Sequence, residues 1–324
     1  MSTVPVTPGE ENHEGSILPP FIRVVDPSIR AAHERSMPTR EERKENLNNI
    51  LVPCDADCGK VLPRNELKLC SRCKQARYCS QVCQKVDWRA RHKAECGEGP
   101  PKDLTLKLAE RALAVPKIVE YLWMMSILTL ELITDTSNAA RFVVNIQCDT
   151  KAADLASYVE RMMSGARESA EKAQVVLHVS KSVRVPLAGA PARTQKAAAD
   201  AREKYTKDHR DADGRYSRDN PVVTFFFSSE EDATGKDGAI SVSYVIPAWA
   251  LGYMASNPKE TLRSAVFGDS EVDMSMTTLR DGLNNLMRND KQNKLRLRGY
   301  PSGTKPSPQE QSEQRKPVVV VAEE

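Results

Sequence analysis

Seven of the eight cysteines in this 324-residue chain lie between positions 54 and 96. No other feature restricts the fold so tightly, because thiols at this density are held either by disulfides or by metal. Disulfide frameworks belong to secreted chains, whereas clustered, paired cysteines in a reducing compartment signal metal. Residues 1–20 are rich in Pro, Glu and Thr and show no apolar signal core, so no leader is expected. The longest uncharged apolar run, between Glu120 and Glu131, is ten residues, and a bilayer span takes about 20. The expectation is a soluble intracellular protein, nuclear or cytoplasmic, with no membrane partner. A net charge of +3 points to neither a membrane nor a nucleic-acid partner.

The ligand-type residues in the window are Cys54, Cys58, Cys70, Cys73, Cys79, Cys83, His92 and Cys96. They fall into four close pairs, C-x3-C, C-x2-C, C-x3-C and H-x3-C, enough for two complete tetrahedral zinc sites. Closed, Cys-rich sites are structural, since catalytic zinc keeps a position for water. No enzymatic role is therefore expected of them. Ser80 suits a helix N-cap, and the stretch from Gln81 to Cys96 contains no Gly or Pro. On one helix Cys83 and His92 stand roughly 13.5 Å apart along the axis and about 180° apart around it. They cannot share an ion, so Cys79 and Cys83 belong to one site and His92 and Cys96 to the other. Cys54 and Cys58 can complete either one.

The run Tyr78-Cys79-Ser80, Cys83-Gln84, Asp87-Trp88, His92-Lys93 and Cys96, following two cysteine pairs, resembles the MYND finger family. The resemblance covers residues 54–96, about an eighth of the chain. It implies a cross-braced arrangement, with Cys54, Cys58, Cys79 and Cys83 on one zinc and Cys70, Cys73, His92 and Cys96 on the other. Many members carry His before the Trp where this chain has Asp87, a position that is not a ligand. The resemblance also implies a protein partner engaged through a short proline-containing peptide, with the groove positions falling on Gln84 and Trp88. These two residues are one helical turn apart and share a face. The plainer reading of Trp88 is that its indole packs the small core of the finger.

Nucleic acid is not favoured as a partner. Residues 54–96 carry ten Lys or Arg against five Asp or Glu, and seven thiolates with two zinc ions bring that +5 down to +2. Some MYND fingers accompany SET-type lysine methyltransferases, but the chain's one Asn-His pair, Asn12-His13, lies in the expected N-terminal tail, and there is no Gly-rich entry segment. A RING-like ligase would place its His mid-order and end in a cysteine pair, unlike the terminal H-x3-C here.

Outside the window the chain reads as an α+β protein. Residues 1–50, with six prolines, and 298–324 read as disordered tails. Gly97, Gly99, Pro100 and Pro101 form a linker expected to separate two cores. Residues 103–296 read as an α+β domain of unknown function. Leu104, Leu108, Val115, Ile118, Leu122, Met125 and Leu132 make a helical stripe, which Pro116 either kinks or restarts. Strands are expected at 141–148 and 174–185, and a hairpin from 221–228 and 240–246 around the loop 231–238. Helices are expected at 151–163, 247–256 and 276–289, with an exposed one from 190. Cys148 reads as a buried core thiol, and His13, His33, His178 and His209 lack partners at ligand spacing.

Overall fold

A computed structural model describes residues 37–73, 76–96, 104–154, 158–159, 163, 173–207, 220–229, 240–264 and 268–301. Residues 1–36 and 302–324 of the tails expected at 1–50 and 298–324, the loop 231–238 and most of the helix expected at 151–163 lie outside the described residues. The first helix, α1 (Arg40–Asn49), falls where the sequence reading placed a disordered tail. It is nucleated locally: Thr39 Oγ1 accepts the Glu42 amide at 3.2 Å, and the Glu42 carboxylate accepts the Thr39 amide at 2.6 Å. Such a reciprocal box satisfies two donors that a helix N-terminus otherwise leaves open.

The finger follows, built from the hairpins β1 (Leu51–Pro53) with β2 (Val61–Pro63) and β3 (Lys68–Leu69) with β4 (Arg77–Tyr78). Next comes one helical stretch made of α2 (Gln81–Asp87), a π-helical turn (Trp88–His92) and α3 (Lys93–Glu95). Beyond it, α4 (Leu104–Ala112) and α5 (Pro116–Thr129) meet at 96°. Pro116 opens the second helix at its first position, where a missing N–H costs nothing. Among the described residues no single helix is long and apolar enough to cross a membrane.

A five-stranded mixed sheet carries the rest. After the short α6 (Asn138–Arg141) come β5 (Phe142–Ala152), β6 (Val175–Pro186), α7 (Ala192–Lys207), β7 (Val222–Ser229) and β8 (Ile240–Val245). They are followed by α8 (Ala248–Ala255), the hairpin β9 (Lys259–Ser264) with β10 (Gly268–Asp273), α9 (Met276–Asn289) and β11 (Arg298–Gly299). The strand order is β11-β6-β5-β7-β8, with β5 and β7 parallel and every other pair antiparallel. Alternation along the strands sends Val144, Ile146, Cys148, Val223, Phe225 and Phe227 to one face, which packs in one apolar cluster with side chains of α4, α5, α8 and α9. Cys148 is fully buried there, as its strand position suggested.

Three readings of this region change. The domain does not stop at 296, because Leu297 and Arg298 are buried and β11 pairs with Val175 and Val176. The helix after 190 is not exposed: its Thr194, Ala197, Ala198 and Ala201 are buried against the sheet. Small residues allow that close approach, and a seam of hydroxyl pairs, Thr194 with Ser241 and Thr224 with Ser243, satisfies the polar atoms enclosed by it. The third change concerns the expected gap between two cores. Ile50, Val52 and Leu67 belong to the same buried cluster as Leu108, Ile146 and Phe225, and Leu62 and Cys79 pack against it. The linker separates the finger from the sheet along the chain but not in space. Glu110 on α4 reinforces the join, its carboxylate meeting Arg64 at 3.1 Å and Arg77 at 3.0 Å.

Candidate metal centre

Each ligand leaves its element at a point fixed by backbone hydrogen bonds. Cys54 follows β1, and its amide bonds Lys60 O at 2.9 Å across a turn in which Asp57 and Gly59 both take positive φ. Cys70 follows β3, and its amide closes on Ala76 O at 2.9 Å, which brings Cys73 round in the same turn. Cys79 follows β4. Cys83 sits in the first turn of α2, where its amide donates to the N-cap Ser80 Oγ at 3.1 Å. His92 and Cys96 lie at the far end of the same helical stretch, joined by Cys96 N to His92 O at 2.6 Å.

The eight side chains gather into two tetrads, Cys54, Cys58, Cys79 and Cys83, and Cys70, Cys73, His92 and Cys96. Within each tetrad all four ligand atoms lie within 4.8 Å of one another. A zinc tetrahedron with Zn–S of about 2.3 Å requires S···S edges of about 3.8 Å. The observed separations are 3.5 Å for Cys58–Cys79, 3.4 Å for Cys79–Cys83 and 3.7 Å for Cys70–Cys96. Cys73 Sγ stands 3.5 Å from His92 Nε2. Donor chemistry and spacing both fit Zn²⁺ at each tetrad, and the tertiary structure resolves the pairing: Cys54 and Cys58 join Cys79 and Cys83. The π-helical turn between Cys83 and His92 does not disturb that outcome, since it widens the helix without breaking it.

The thiols are not electrostatically alike. Burial pushes the Cys54 thiol up to about 12 and the Cys96 thiol up to about 11. At Cys70 burial acts in the same direction but is outweighed by hydrogen bonds from the backbone and His92, which bring it down to about 6. A divalent cation removes this disparity by favouring the thiolate at every position.

Between the tetrads lies a residue whose role the sequence reading missed. Asp87 is only 6% exposed; it accepts the Tyr78 hydroxyl at 2.8 Å and the Arg91 Nε–H at 3.0 Å. Arg91 also donates to Asp55 O and lies 3.6 Å from Asp57, within the turn that carries Cys54 and Cys58. Asp87 thus ties the helix that serves both tetrads to the strand before Cys79 and, through Arg91, to the first knuckle. Burial and the Asp87 hydrogen bond together raise the Tyr78 hydroxyl well above its ordinary range and keep it a donor. The Asp87–Arg91 spacing of four residues on a helix was the available signal. His178, outside both tetrads, meets Asp149 across the β5–β6 ladder at 2.9 Å.

The two residues proposed for a groove share a face but are not fully exposed. Gln84 and Trp88 are both half-buried. The Trp88 ring packs edge-on against His92, with centroids 5.7 Å apart, and contributes to the cluster around Cys54, Cys70 and Tyr78.

Comparison with known proteins identifies the same segment. Residues 54–96 match the family model described as MYND finger, and this segment is a MYND finger with two zinc-binding sites. The chain is 40% identical over 57 residues to ubiquitin carboxyl-terminal hydrolase 19 of Arabidopsis thaliana, covering 18% of this chain and 8% of that protein. It is 45% identical over 53 residues to the F-box protein At5g50450 of Arabidopsis thaliana, covering 16% of this chain and 15% of that protein. Over 68 residues it is 44% identical to the N-lysine methyltransferase SMYD2 of Homo sapiens, covering 19% and 16%. In each case the match covers less than a fifth of the relative's own length. No solved structure gives a significant match.

Proposed function

We propose that the finger is a protein-docking module that holds a short proline-containing peptide against Gln84 and Trp88. The observation that carries this reading is the divided position of Trp88. One part of its indole is fixed on His92, and the remainder stays open to solvent one turn from the amide of Gln84. A rigidly held, partly open indole offers flat apolar area to a proline ring, and the neighbouring amide orients a backbone group. The π-helical turn begins at Trp88, an irregularity that often accompanies functional sites.

The chain acts as a binding protein, not an enzyme. Both tetrads are complete with protein ligands, which leaves no coordination position for a substrate. The three relatives differ in kind, a hydrolase, an F-box protein and a methyltransferase, and share only a segment of 53 to 68 residues with this chain, which supports reading that segment as a portable module. A SET-type lysine methyltransferase relationship, the alternative, has no support outside the finger. Thiol ligands at this density suit a reducing compartment, so an intracellular setting, nucleus or cytoplasm, is part of the proposal.

The test is a peptide titration on the zinc-loaded chain. Trp88→Ala should lower affinity for a proline-containing peptide by roughly 2 kcal/mol or more while two zinc ions remain bound. Gln84→Ala should cost less, about 0.5 to 1.5 kcal/mol for one neutral hydrogen bond. Loss of zinc from the Trp88 variant would make the indole a core residue and end the groove reading.

A further inference from the structure

The outer face of the finger helix differs from the face that carries Gln84 and Trp88. Val82 is 70% exposed and Val86, one turn later, is 57% exposed. At 100° per residue they lie about 40° apart, while Gln84 and Trp88 lie roughly 200° and 240° round from Val82. Lys85 and Arg89 flank the two valines, and Lys93 follows a turn later; all three are exposed. No ion pair within the described residues engages Lys85, Arg89 or Lys93. Across the finger the exposed charged side chains are Lys60, Lys68, Arg72, Lys85, Arg89, Arg91 and Lys93 against Asp57 and Glu66, Glu95 and Lys74 not being described. Two adjacent branched apolar side chains inside a cationic frame are electrostatically selective for an acidic, apolar ligand.

One segment of the chain has that chemistry. Residues 1–22 contain Glu10, Glu11 and Glu14 and no Lys or Arg, and the acidic stretch runs directly into Ile17, Leu18 and Phe21. The other terminal stretch, 302–324, mixes Glu310, Glu313, Glu323 and Glu324 with Lys305, Arg315 and Lys316. We propose that the segment Gly9–Phe21 docks on the face made by Val82, Lys85, Val86, Arg89 and Lys93 of the same chain. The residues Ile22–Ser36 join it to Met37, which packs against the main core beside α1. Fifteen residues can span up to about 50 Å. A tether of this kind holds the segment near its site at an effective concentration on the order of millimolar, so weak contacts suffice. This face is separate from the one proposed for external peptides, and the two assignments stand or fall independently.

The experiment uses the full zinc-loaded chain and a fluorescently labelled synthetic peptide of residues 9–21. In the wild-type chain the face is already occupied, so the peptide should bind at least tenfold more weakly than to a chain carrying E10K, E11K and E14K. Adding K85E, R89E and K93E to that chain should abolish binding, with two zinc ions retained in native mass spectrometry. A peptide with its three glutamates replaced by lysine should instead bind a chain that carries K85E, R89E and K93E alone, because that chain's own glutamates are repelled from the acidic face. Trp88→Ala should leave all of this unchanged. Equal binding to the wild-type and E10K/E11K/E14K chains overturns the proposal, as does equal binding of a scrambled peptide. Loss of binding in Trp88→Ala overturns the choice of face, because the segment would then occupy the groove. Self-association that disappears with K85E, R89E and K93E would place a second copy's segment there. A single-stranded oligonucleotide that binds where the peptide does not would assign the face to nucleic acid; either result overturns the intramolecular contact.

Discussion

The finger and the sheet domain are stabilised by different physics within one molecule. The finger's own buried side chains are few: Cys54, Cys70, Tyr78 and Cys96 form its cluster, three of them metal ligands. A body of this size cannot enclose enough apolar surface to offset its chain entropy, and metal coordination makes up the difference. The sheet domain encloses Leu108, Ile118, Met125, Ile146, Phe225, Leu279, Leu283 and Met287, enough apolar area to fold by burial. The difference teaches where each part is fragile: the finger to proton and chelator, the sheet domain to cavities. The seam at Val52, Leu67 and Glu110 decides how far damage in one reaches the other.

The largest effect should come from Cys79→Ser. Structural zinc in small fingers is worth about 10 to 16 kcal/mol, so losing a ligand should unfold residues 54–96 and release at least one zinc ion. Because Cys79 packs against the main cluster as well, the Tm of the sheet domain should also fall. Differential scanning calorimetry with and without chelator reads this directly. An unchanged domain transition would mean that the shared seam contributes nothing.

Phe225→Ala opens a cavity in the middle of the sheet and should cost about 3 to 5 kcal/mol. The contrast lies in the metal: under native conditions zinc content should stay at two per chain. Parallel loss of zinc would make the finger dependent on the sheet.

Glu110→Ala removes the carboxylate shared by Arg64 and Arg77, both partly buried, and should destabilise by about 1 to 3 kcal/mol. Its sharper readout is coupling. The drop in the domain's Tm on chelation should be smaller in this variant than in the parent, since the two bodies are less firmly joined. Smallest of all, Thr39→Ala should cost about 1 kcal/mol by uncapping α1, seen as faster amide exchange at residues 40–43.

Ligand identity, zinc stoichiometry and the resemblance of residues 54–96 were legible in the sequence because metal coordination depends on residue type and short spacings. The helical stripe, its interruption at Pro116 and the strands at β5, β6, β7 and β8 were legible for a similar reason, since periodicity is local. That Pro116 restarts the helix and does not merely kink it was settled by the structure. The choice between two partners for Cys54 and Cys58 could not be read from spacing alone; the structure fixes it by bringing the β1–β2 turn beside Cys79. Helix α7 looked exposed because its alanines carry little hydrophobic signal, yet small side chains are what allow it to lie close on the sheet. The short strand β11 was invisible, two residues whose pairing with β6 is supplied by distant chain. Asn284 shows the same limit: its side chain gives and takes hydrogen bonds with Val179 N and O across 105 residues, closing an edge of β6 that no strand covers there. Sequence by itself therefore determined the metal, its ligands and the strongly periodic local elements, but not α1 or β11. Only the tertiary structure decided that finger and sheet share one core, because burial is a property of what lies opposite a residue in space.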